Sequence, residues 1–176
     1  MKRLVVVGTS GSGKSTLSKV LAHRLGVPHV ELDALYHRPN WGHVDEDELA
    51  RQVAEAVAGD GWVVDGNYSA VRHIAWAAAD TIVWLDYAKW LVMSRMVRRT
   101  LLRGVTRREL WHGNRERLSN LVNPNREKNI ILWAWTTHQL NRRRYAEAFS
   151  APEWSDKNLV RLRSPAETRR FFSTGR

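Results

Sequence analysis

The chain lacks cysteine and lacks any long uncharged apolar run. Zero cysteines among 176 residues exclude disulfides, thiolate zinc sites and cysteine nucleophiles, and leave the redox compartment open. No stretch reaches the roughly 18 to 20 apolar residues that a membrane span needs, so we expect no membrane partner. The first residues lead directly into a predicted strand, which leaves no room for a signal peptide. We therefore expect a cytoplasmic protein that forms a single domain over residues 1–176.

Acidic residues are scarce in one third of the chain. Residues 88–145 contain fourteen Lys and Arg but only three Glu, a net charge of +11, whereas the whole chain carries +10. Such a segment fits a nucleic-acid face, a site for highly anionic small molecules, or a solvated surface. We favour the second interpretation, because no nucleic-acid-binding module is present in the sequence. Nucleic acid stays a possible but less favoured partner.

Glycines cluster at residues 8–15, whose sequence is GTSGSGKS. This run satisfies G-x-x-x-x-G-K-[ST], the phosphate-binding P-loop, and it lies between a β-branched run at 4–7 and a helical pattern at 15–25. Backbone N–H groups of such a loop cup a polyphosphate, Lys14 neutralises the outer phosphates and Ser15 can ligate Mg²⁺. We expect ATP as the bound cofactor, held by Gly8, Ser10, Gly11, Ser12, Gly13, Lys14, Ser15 and Thr16.

Strands and helices alternate along the whole chain. This order predicts a three-layer α/β fold with a parallel sheet and helices on both faces. The predicted strands are 4–7, 29–32, 61–65, 81–86 and 159–162, and residues 34–43 are predicted as a loop. The predicted helices are 15–25, 45–58, 69–78 with Ser69 as its cap, 89–102, 127–149 and one that opens at Pro165.

Acids end three of these strands, at the edge where ligands bind in such folds. Asp33 ends the second strand, Asp65 the third and Asp86 the fourth. Either Asp65 or Asp86 could serve on the magnesium side, and their spacing does not choose between them. The histidines show no metal-ligand spacing, so Mg²⁺ carried by ATP is the one metal we expect.

Missing motifs narrow the class of P-loop protein. The sequence has no N-K-x-D guanine-reading motif and no L-S-G-G-Q transporter signature, and its 176 residues leave no room for a remodelling ATPase subdomain. A small-molecule kinase remains. Across nearly its whole length the chain resembles the adenylate-kinase-like family, in the segments WVVDGNY (62–68), VWLD (83–86) followed by Arg95 and Arg99, and RSPA (163–166).

A finer resemblance rests on short segments. LDALY (32–36), PNW (39–41), DGNY (65–68) and GNRE (113–116) resemble a bacterial subgroup commonly named DNA topology modulation protein, adenylate kinase or AAA ATPase. The family resemblance implies five parallel strands of nucleoside-monophosphate-kinase type, a small acceptor insert at about 34–60 and a lid at about 103–125. It also implies that the strand that ends at Asp65 lies beside the P-loop strand, so that Asp65 would hold a magnesium-bound water. For Asp86 the alternative role is that of a helix-capping or structural acid.

The acceptor region departs from the family pattern. True adenylate kinases carry T-G-D-[LM]-[LM]-R after the second strand, where this chain reads LDALYHR (32–38). Asp33 instead resembles the acid of shikimate- and gluconate-type kinases, which orients the attacking hydroxyl; its alternative role is that of a turn residue. The acceptor is therefore a nucleotide, a nucleoside or a hydroxylated metabolite, with an adenylate kinase of altered AMP pocket as the rival interpretation.

Arginines complete the predicted site. Arg95 and Arg99 lie four residues apart and project from one side of their helix, where they can neutralise the transferring phosphoryl group. Trp90, Met93, Val97 and Leu101 are expected to form the packing stripe on the opposite side. One or two of the arginines 142–144 are expected to face the cleft. The predicted catalytic set is Lys14, Asp33, Asp65, Arg95 and Arg99, with Ser15 and Asp65 on the metal.

Overall fold

A computed structural model of the chain describes residues 2–66, 68–106, 109–114 and 129–174. It contains the strands β1 (Arg3–Gly8), β2 (His29–Glu31), β3 (Trp62–Asp65), β4 (Thr81–Leu85) and β5 (Asn158–Leu162). Its helices are α1 (Lys14–Leu25), α2 (Leu32–Tyr36), α3 (Glu46–Ala56), α4 (Arg72–Ala78), α5 (Lys89–Thr106), α6 (Ile130–Ser150) and α7 (Pro165–Thr174). Short 3₁₀ turns lie at Pro39–Trp41, Ser69–Val71, Trp111–Gly113 and Pro152–Trp154.

The five strands form one parallel sheet in the order β2-β3-β1-β4-β5. The predicted α/β fold is thereby confirmed, and so is the position of β3 beside the P-loop strand. Val6 pairs with Asp65 on one side of β1, and Gly8 pairs with Leu85 on the other. The carboxyl ends of three strands consequently meet around the residues that follow Gly8.

Side chains of the central strand alternate between two separate cores. Val5 and Val7 pack with α3, α4 and α6 on one face of the sheet, whereas Leu4 and Val6 pack with α1 and α7 on the other. Burial on both faces explains why residues 4–7 of β1 and 82–85 of β4 are apolar, with every residue of β4 buried. The strands are fixed by this double packing, and their loops are left to carry function.

The segment after β2 corrects two predictions. The sequence predicts a loop over residues 34–43, but these residues belong in part to the short helix α2 and to the turn Pro39–Trp41. Asp33 does not end the strand; it lies in the first turn of α2, where an acid is favourable because helical N–H groups point toward it. Ser69 does not cap α4 either, because it begins the 3₁₀ turn that precedes this helix.

Helix α5 turns a different face inward from the one that its apolar spacing predicts. Its buried residues are Val92, Met93, Met96 and Thr100. Trp90, Val97 and Leu101, three members of the predicted stripe, are exposed. The inward face is therefore the one that also carries Arg95 and Arg99. Packing tolerates these arginines, since the apolar stems of long cationic side chains can lie along a packed surface while their charged ends reach an anion site.

Part of the predicted lid lies against part of the predicted insert. Residues 109–114 lie on α2 and on the turn Pro39–Trp41, and residues 103–106 continue α5. Residues 107–108 and 115–125 of the predicted lid lie outside the described residues. No helix in the described part of the chain combines the length and apolar composition needed to cross a membrane.

Candidate functional site

The P-loop borders a large cavity at the carboxyl edge of the sheet. The cavity has a volume of about 1240 Å³, and Gly8, Thr9, Ser10 and Lys14 line it. Gly13 precedes α1 in a left-handed conformation, with φ of 99°, and the helix begins at Lys14. Its first free N–H groups therefore face the loop, as an anion site requires.

The other predicted ligands of ATP lie on the same loop and first helical turn, but they do not line the cavity. Ser12 is buried, Ser15 is half-buried and Thr16 is exposed. Gly11 lies against α5, where an added Cβ would come within 2.8 Å of the carbonyl oxygen of Val92. The close approach of loop and helix explains why this position is glycine.

Lys14 lies in an electrostatic field set by three other predicted site residues. Burial lowers the pKa of Lys14 below its ordinary value, the charges of Asp33 and Asp65 raise it, and Arg99 lowers it. The net direction is downward, since desolvation disfavours the charged form most. A triphosphate bound at the P-loop would add negative charge beside the Lys14 ammonium and so favour its charged form.

Asp65 is a buried carboxylate at the end of β3. Its Oδ2 atom lies 2.9 Å from Nε2 of His29 on the neighbouring strand. Ligand atoms of His29, Glu31 and Asp65 all lie within 4.8 Å of one another, so this group could hold a metal ion. The spacing of the histidines did not predict this arrangement, because it arises only when β2 pairs with β3.

Asp33 faces the P-loop and is oriented by a phenol. The hydroxyl of Tyr68 donates a hydrogen bond to Oδ1 of Asp33 at 2.6 Å. Burial and the charge of Asp33 raise the pKa of Tyr68 well above its ordinary value, so the phenol keeps its proton and remains a donor. Both residues line the cavity beside Lys14, which gives Asp33 the position of a group that could orient an acceptor.

Arg95 and Arg99 both reach the P-loop. Nη1 of Arg95 donates to the carbonyl oxygen of Ser12 at 3.0 Å, and Nη2 of Arg99 lies 3.4 Å from Oγ of Ser10. Arg99 also lines the cavity together with Arg103. The two arginines that the sequence places on one helix face are thus brought to the same loop, even though the packing stripe was assigned wrongly.

Asp86 is held by two arginines on the other side of β1. Arg142 and Arg161 both donate to its carboxylate, with shortest distances of 2.8 and 2.6 Å. Arg142 therefore faces Asp86, while Arg144 lines the cavity. Asp65, by contrast, lies within electrostatic range of Lys14.

Sequence reasoning missed the roles of three residues at this site: Tyr68 and Trp111, which line the cavity, and His29, which lies beside Asp65. Each acts on a partner at least 35 positions away, such as Glu31 for the indole N–H of Trp111 at 2.8 Å. Hydrophobic period and motif spacing carry no information about such pairs. The one usable signal is the density of aromatic residues in segments 36–43 and 109–112.

Comparisons with known proteins point to phosphotransferases. The chain is 36% identical over 98 residues to a protein of Thermococcus onnurineus (strain NA1) named "Putative adenylate kinase", a match that covers 52% of each chain. It is 35% identical over 97 residues to the shikimate kinase of Gloeobacter violaceus (strain ATCC 29082 / PCC 7421), covering 47% of this chain and 55% of that one. The matches thus span about half the length of these curated relatives. No protein-family model matches the chain.

A solved structure agrees in fold. The shikimate kinase of Bacteroides thetaiotaomicron superposes with a TM-score of 0.53 at 12% identity, over 98% of this chain and 96% of that one. At such identity the likeness concerns the arrangement of sheet and helices. The relatives and the fold together make the chain similar to P-loop kinases of small substrates.

Proposed function

We propose that the chain is an ATP-dependent phosphotransferase that moves the γ-phosphoryl group of Mg-ATP to a small acceptor. The observation that carries the proposal is the position of Lys14, which lines the cavity within electrostatic range of Asp33, Asp65 and Arg99. The similarity to named kinases supports the reaction class. The resemblance to the subgroup named DNA topology modulation protein rests on short motifs and remains part of the proposal.

Each predicted residue has a task in this reaction. The P-loop amides and Lys14 hold the phosphates, and Arg95 and Arg99 stabilise the charge on the transferring group. Asp33 orients the acceptor hydroxyl. Positioning and electrostatics supply most of the catalysis in such reactions, so a covalent nucleophile is not required.

Magnesium fits the residues present. Asp65 and Ser15 offer a carboxylate and a hydroxyl, the oxygen ligands that Mg²⁺ prefers. The group formed by His29, Glu31 and Asp65 is different, because it includes a nitrogen donor. Such a donor set suits other divalent metals better than Mg²⁺. When bound, Mg²⁺ would neutralise charge on the β- and γ-phosphates.

An acceptor screen tests the proposal. ADP formation from Mg-ATP is measured with AMP, nucleosides, shikimate and gluconate, together with ATP binding by calorimetry. Lys14→Ala is expected to abolish ATP binding or turnover. Lys157→Ala, which removes an ammonium paired with Asp156 at 3.0 Å beside β5, is expected to leave both intact. Unchanged ATP binding and turnover in Lys14→Ala would contradict the proposal.

The screen also decides between the proposal and its closest rival. Turnover of AMP at ordinary kinase rates of about 1–100 s⁻¹ would establish an adenylate kinase with a modified AMP pocket. The name of the Thermococcus relative favours that candidate, whereas the LDALYHR segment at 32–38 speaks against it.

A further inference from the structure

One wall of the cavity is built from rings. His37, Trp41, Tyr68 and Trp111 all line the cavity on the side of Asp33, and we call them the aromatic wall. The ring of His37 stacks on Trp111, with centroids 5.5 Å apart and an angle of 21°, and meets Trp41 edge-on. Trp41 is 44% exposed despite its size. A contiguous group of rings at the edge of a cavity is typical of a ligand-binding groove.

The backbone beneath this wall is strained. Within the described residues, the non-glycine residues with positive φ are Asn40 at 58°, Trp41 at 59° and His112 at 56°. All three lie in the facing turns Pro39–Trp41 and Trp111–Gly113. Strain of this kind persists where surrounding structure enforces it, and it concentrates at ligand-binding sites.

Asn114 is the residue that enforces the strained geometry. Its Oδ1 accepts from the backbone N–H of Trp41 at 2.8 Å, and its Nδ2 donates to the carbonyl oxygens of Arg38 and Trp111, both at 2.9 Å. One buried amide thus fastens the two turns to each other. The indole rings are held in place before any ligand arrives, which reduces the entropy lost on binding.

Trp111 is fixed at its edge as well. Its indole N–H donates to Glu31 at 2.8 Å, and Lys19 holds the same carboxylate at 2.8 Å. Burial lowers the pKa of His37, so the ring between the two indoles is uncharged at neutral pH. Rings that are uncharged and fixed in this way favour a flat partner that stacks by dispersion.

Asp33 selects the reacting group. A carboxylate can accept the proton of an alcohol, but it repels a phosphate monoester, which in addition carries its own anionic nucleophile. Its bond to Tyr68 keeps this carboxylate aimed into the cavity. Beside this carboxylate an alcohol is favoured as the reacting group, and the aromatic wall indicates a flat ring system attached to it.

We propose that the acceptor is a nucleoside, with its base against the indoles of Trp41 and Trp111 and its primary hydroxyl at Asp33. This inference rests on the proposed function. The hydroxyl oxygen forms the new bond to the γ-phosphorus, and the bond from that phosphorus to the β–γ bridging oxygen breaks. ADP leaves with the electron pair. The hydroxyl proton passes to the carboxylate of Asp33 and then to solvent, and the product is a nucleoside 5′-monophosphate.

The test compares acceptors and tryptophan variants. Adenosine, guanosine, cytidine, uridine and thymidine are assayed with Mg-ATP beside shikimate and gluconate, and products are identified by mass spectrometry. We expect at least one nucleoside to be phosphorylated. Trp41→Ala should raise its KM about 5- to 100-fold without changing the KM for ATP, and Trp41→Phe should retain most of the affinity.

A matched control for Trp41→Ala is the loss of an exposed tryptophan that lies outside the cavity. Trp90 is 72% exposed on α5 and does not line the cavity, so Trp90→Ala should leave both KM values unchanged. Circular dichroism and thermal unfolding establish that each variant is folded.

Three outcomes would overturn the inference, and they separate it from the proposed function. Phosphorylation of shikimate or gluconate with no nucleoside turned over would overturn the nucleoside proposal and leave the phosphotransferase intact. An unchanged nucleoside KM in folded Trp41→Ala would overturn the stacking role. Absence of ATP binding and of ADP formation in the unsubstituted chain would overturn both proposals.

Discussion

Asp65 ends β3 and Asp86 follows β4, the two strands that flank β1, yet their surroundings give them different tasks. Asp65 accepts one hydrogen bond from His29 and lies within electrostatic range of Lys14. Asp86 is enclosed by the guanidinium groups of Arg142 and Arg161. An acid whose charge is already matched contributes to stability, whereas one that faces a nucleotide site is available for chemistry.

Asp65→Asn is expected to impair activity more than stability. The amide keeps an oxygen that can accept from His29 but loses the charge, so we expect phosphotransfer to fall by about 10²- to 10³-fold. Steady-state kinetics at several Mg²⁺ concentrations measure the loss, and thermal unfolding checks the fold. Asp156→Asn is the control, because that carboxylate is mostly exposed. Activity of Asp65→Asn equal to that of the unsubstituted chain would refute the magnesium-side assignment.

Asp86→Asn is expected to show the reverse pattern. Loss of the carboxylate charge leaves two arginines without their counter-ion, and we expect unfolding to become easier by about 3 kcal/mol. Because Arg142 and Arg161 are partly exposed, the effect lies at the lower end for a buried ion pair. Urea denaturation measures it.

Glu55→Gln provides the comparison for Asp86. It breaks an exposed pair between the carboxylate of Glu55 and the guanidinium of Arg51, which lie 2.6 Å apart, and should leave the urea midpoint almost unchanged. Equal destabilisation by the two substitutions would contradict the structural role of Asp86.

At the scale of elements, helix α5 determines how the P-loop is flanked. Its inward face packs Val92 and Met96 against Gly11 and brings Arg95 and Arg99 to the loop. Apolar packing and the placement of cations thus share one side of the helix. A substitution on that side disturbs both the core and the phosphate site.

Met96 and Val97 test this orientation directly. Met96 is 0% exposed and Val97 is 37% exposed, although they are adjacent. Met96→Ala should destabilise the fold by about 2–5 kcal/mol, because it opens a cavity beside the P-loop. Val97→Ala should cost less than about 0.5 kcal/mol. Chemical denaturation of both variants gives the comparison, and the opposite ranking would restore the stripe that sequence periodicity predicts.

The same helix shows how far sequence reasoning reaches. Alternating strands and helices predict the parallel sheet, because βαβ units follow a right-handed rule that leaves few topologies. The P-loop and its strand predict where phosphates would lie. The face of α5 was not predictable, since it carries apolar residues on two sides and tertiary contact with Gly11 selects between them. The hydrogen bond between Tyr68 and Asp33 likewise depends on the parallel pairing of β2 with β3, which brings together two residues 35 positions apart in the sequence.

At the scale of the whole molecule, the direction in which the cationic side chains face indicates which kind of anion they bind. Within the described part of the basic segment 88–145, most of the cationic side chains face the cavity or contact another side chain or the P-loop backbone. Its described residues with such positions are Lys89 over Trp135, Arg95 and Arg99 at the P-loop, Arg103 and Arg144 in the cavity wall, and Arg142 on Asp86. A charge distribution of this kind serves a compact polyanion better than an extended one.

Duplex DNA should therefore bind weakly and lose its affinity steeply with salt. Each phosphate contact contributes a slope of about −0.9 in a plot of log K against log salt, and sequence-independent binding of this kind fades as salt rises toward about 200 mM. We expect anisotropy of a labelled duplex to report binding at 50 mM salt, none at 200 mM, and displacement by Mg-ATP at low salt, because both anions compete for the same arginines.

Double substitution of the exposed Arg98 and Arg143 by alanine should weaken DNA binding while leaving ATP binding intact. Binding that survives 200 mM salt and ignores Mg-ATP would instead assign the basic segment to nucleic acid, and the cavity would no longer account for the charge of this chain.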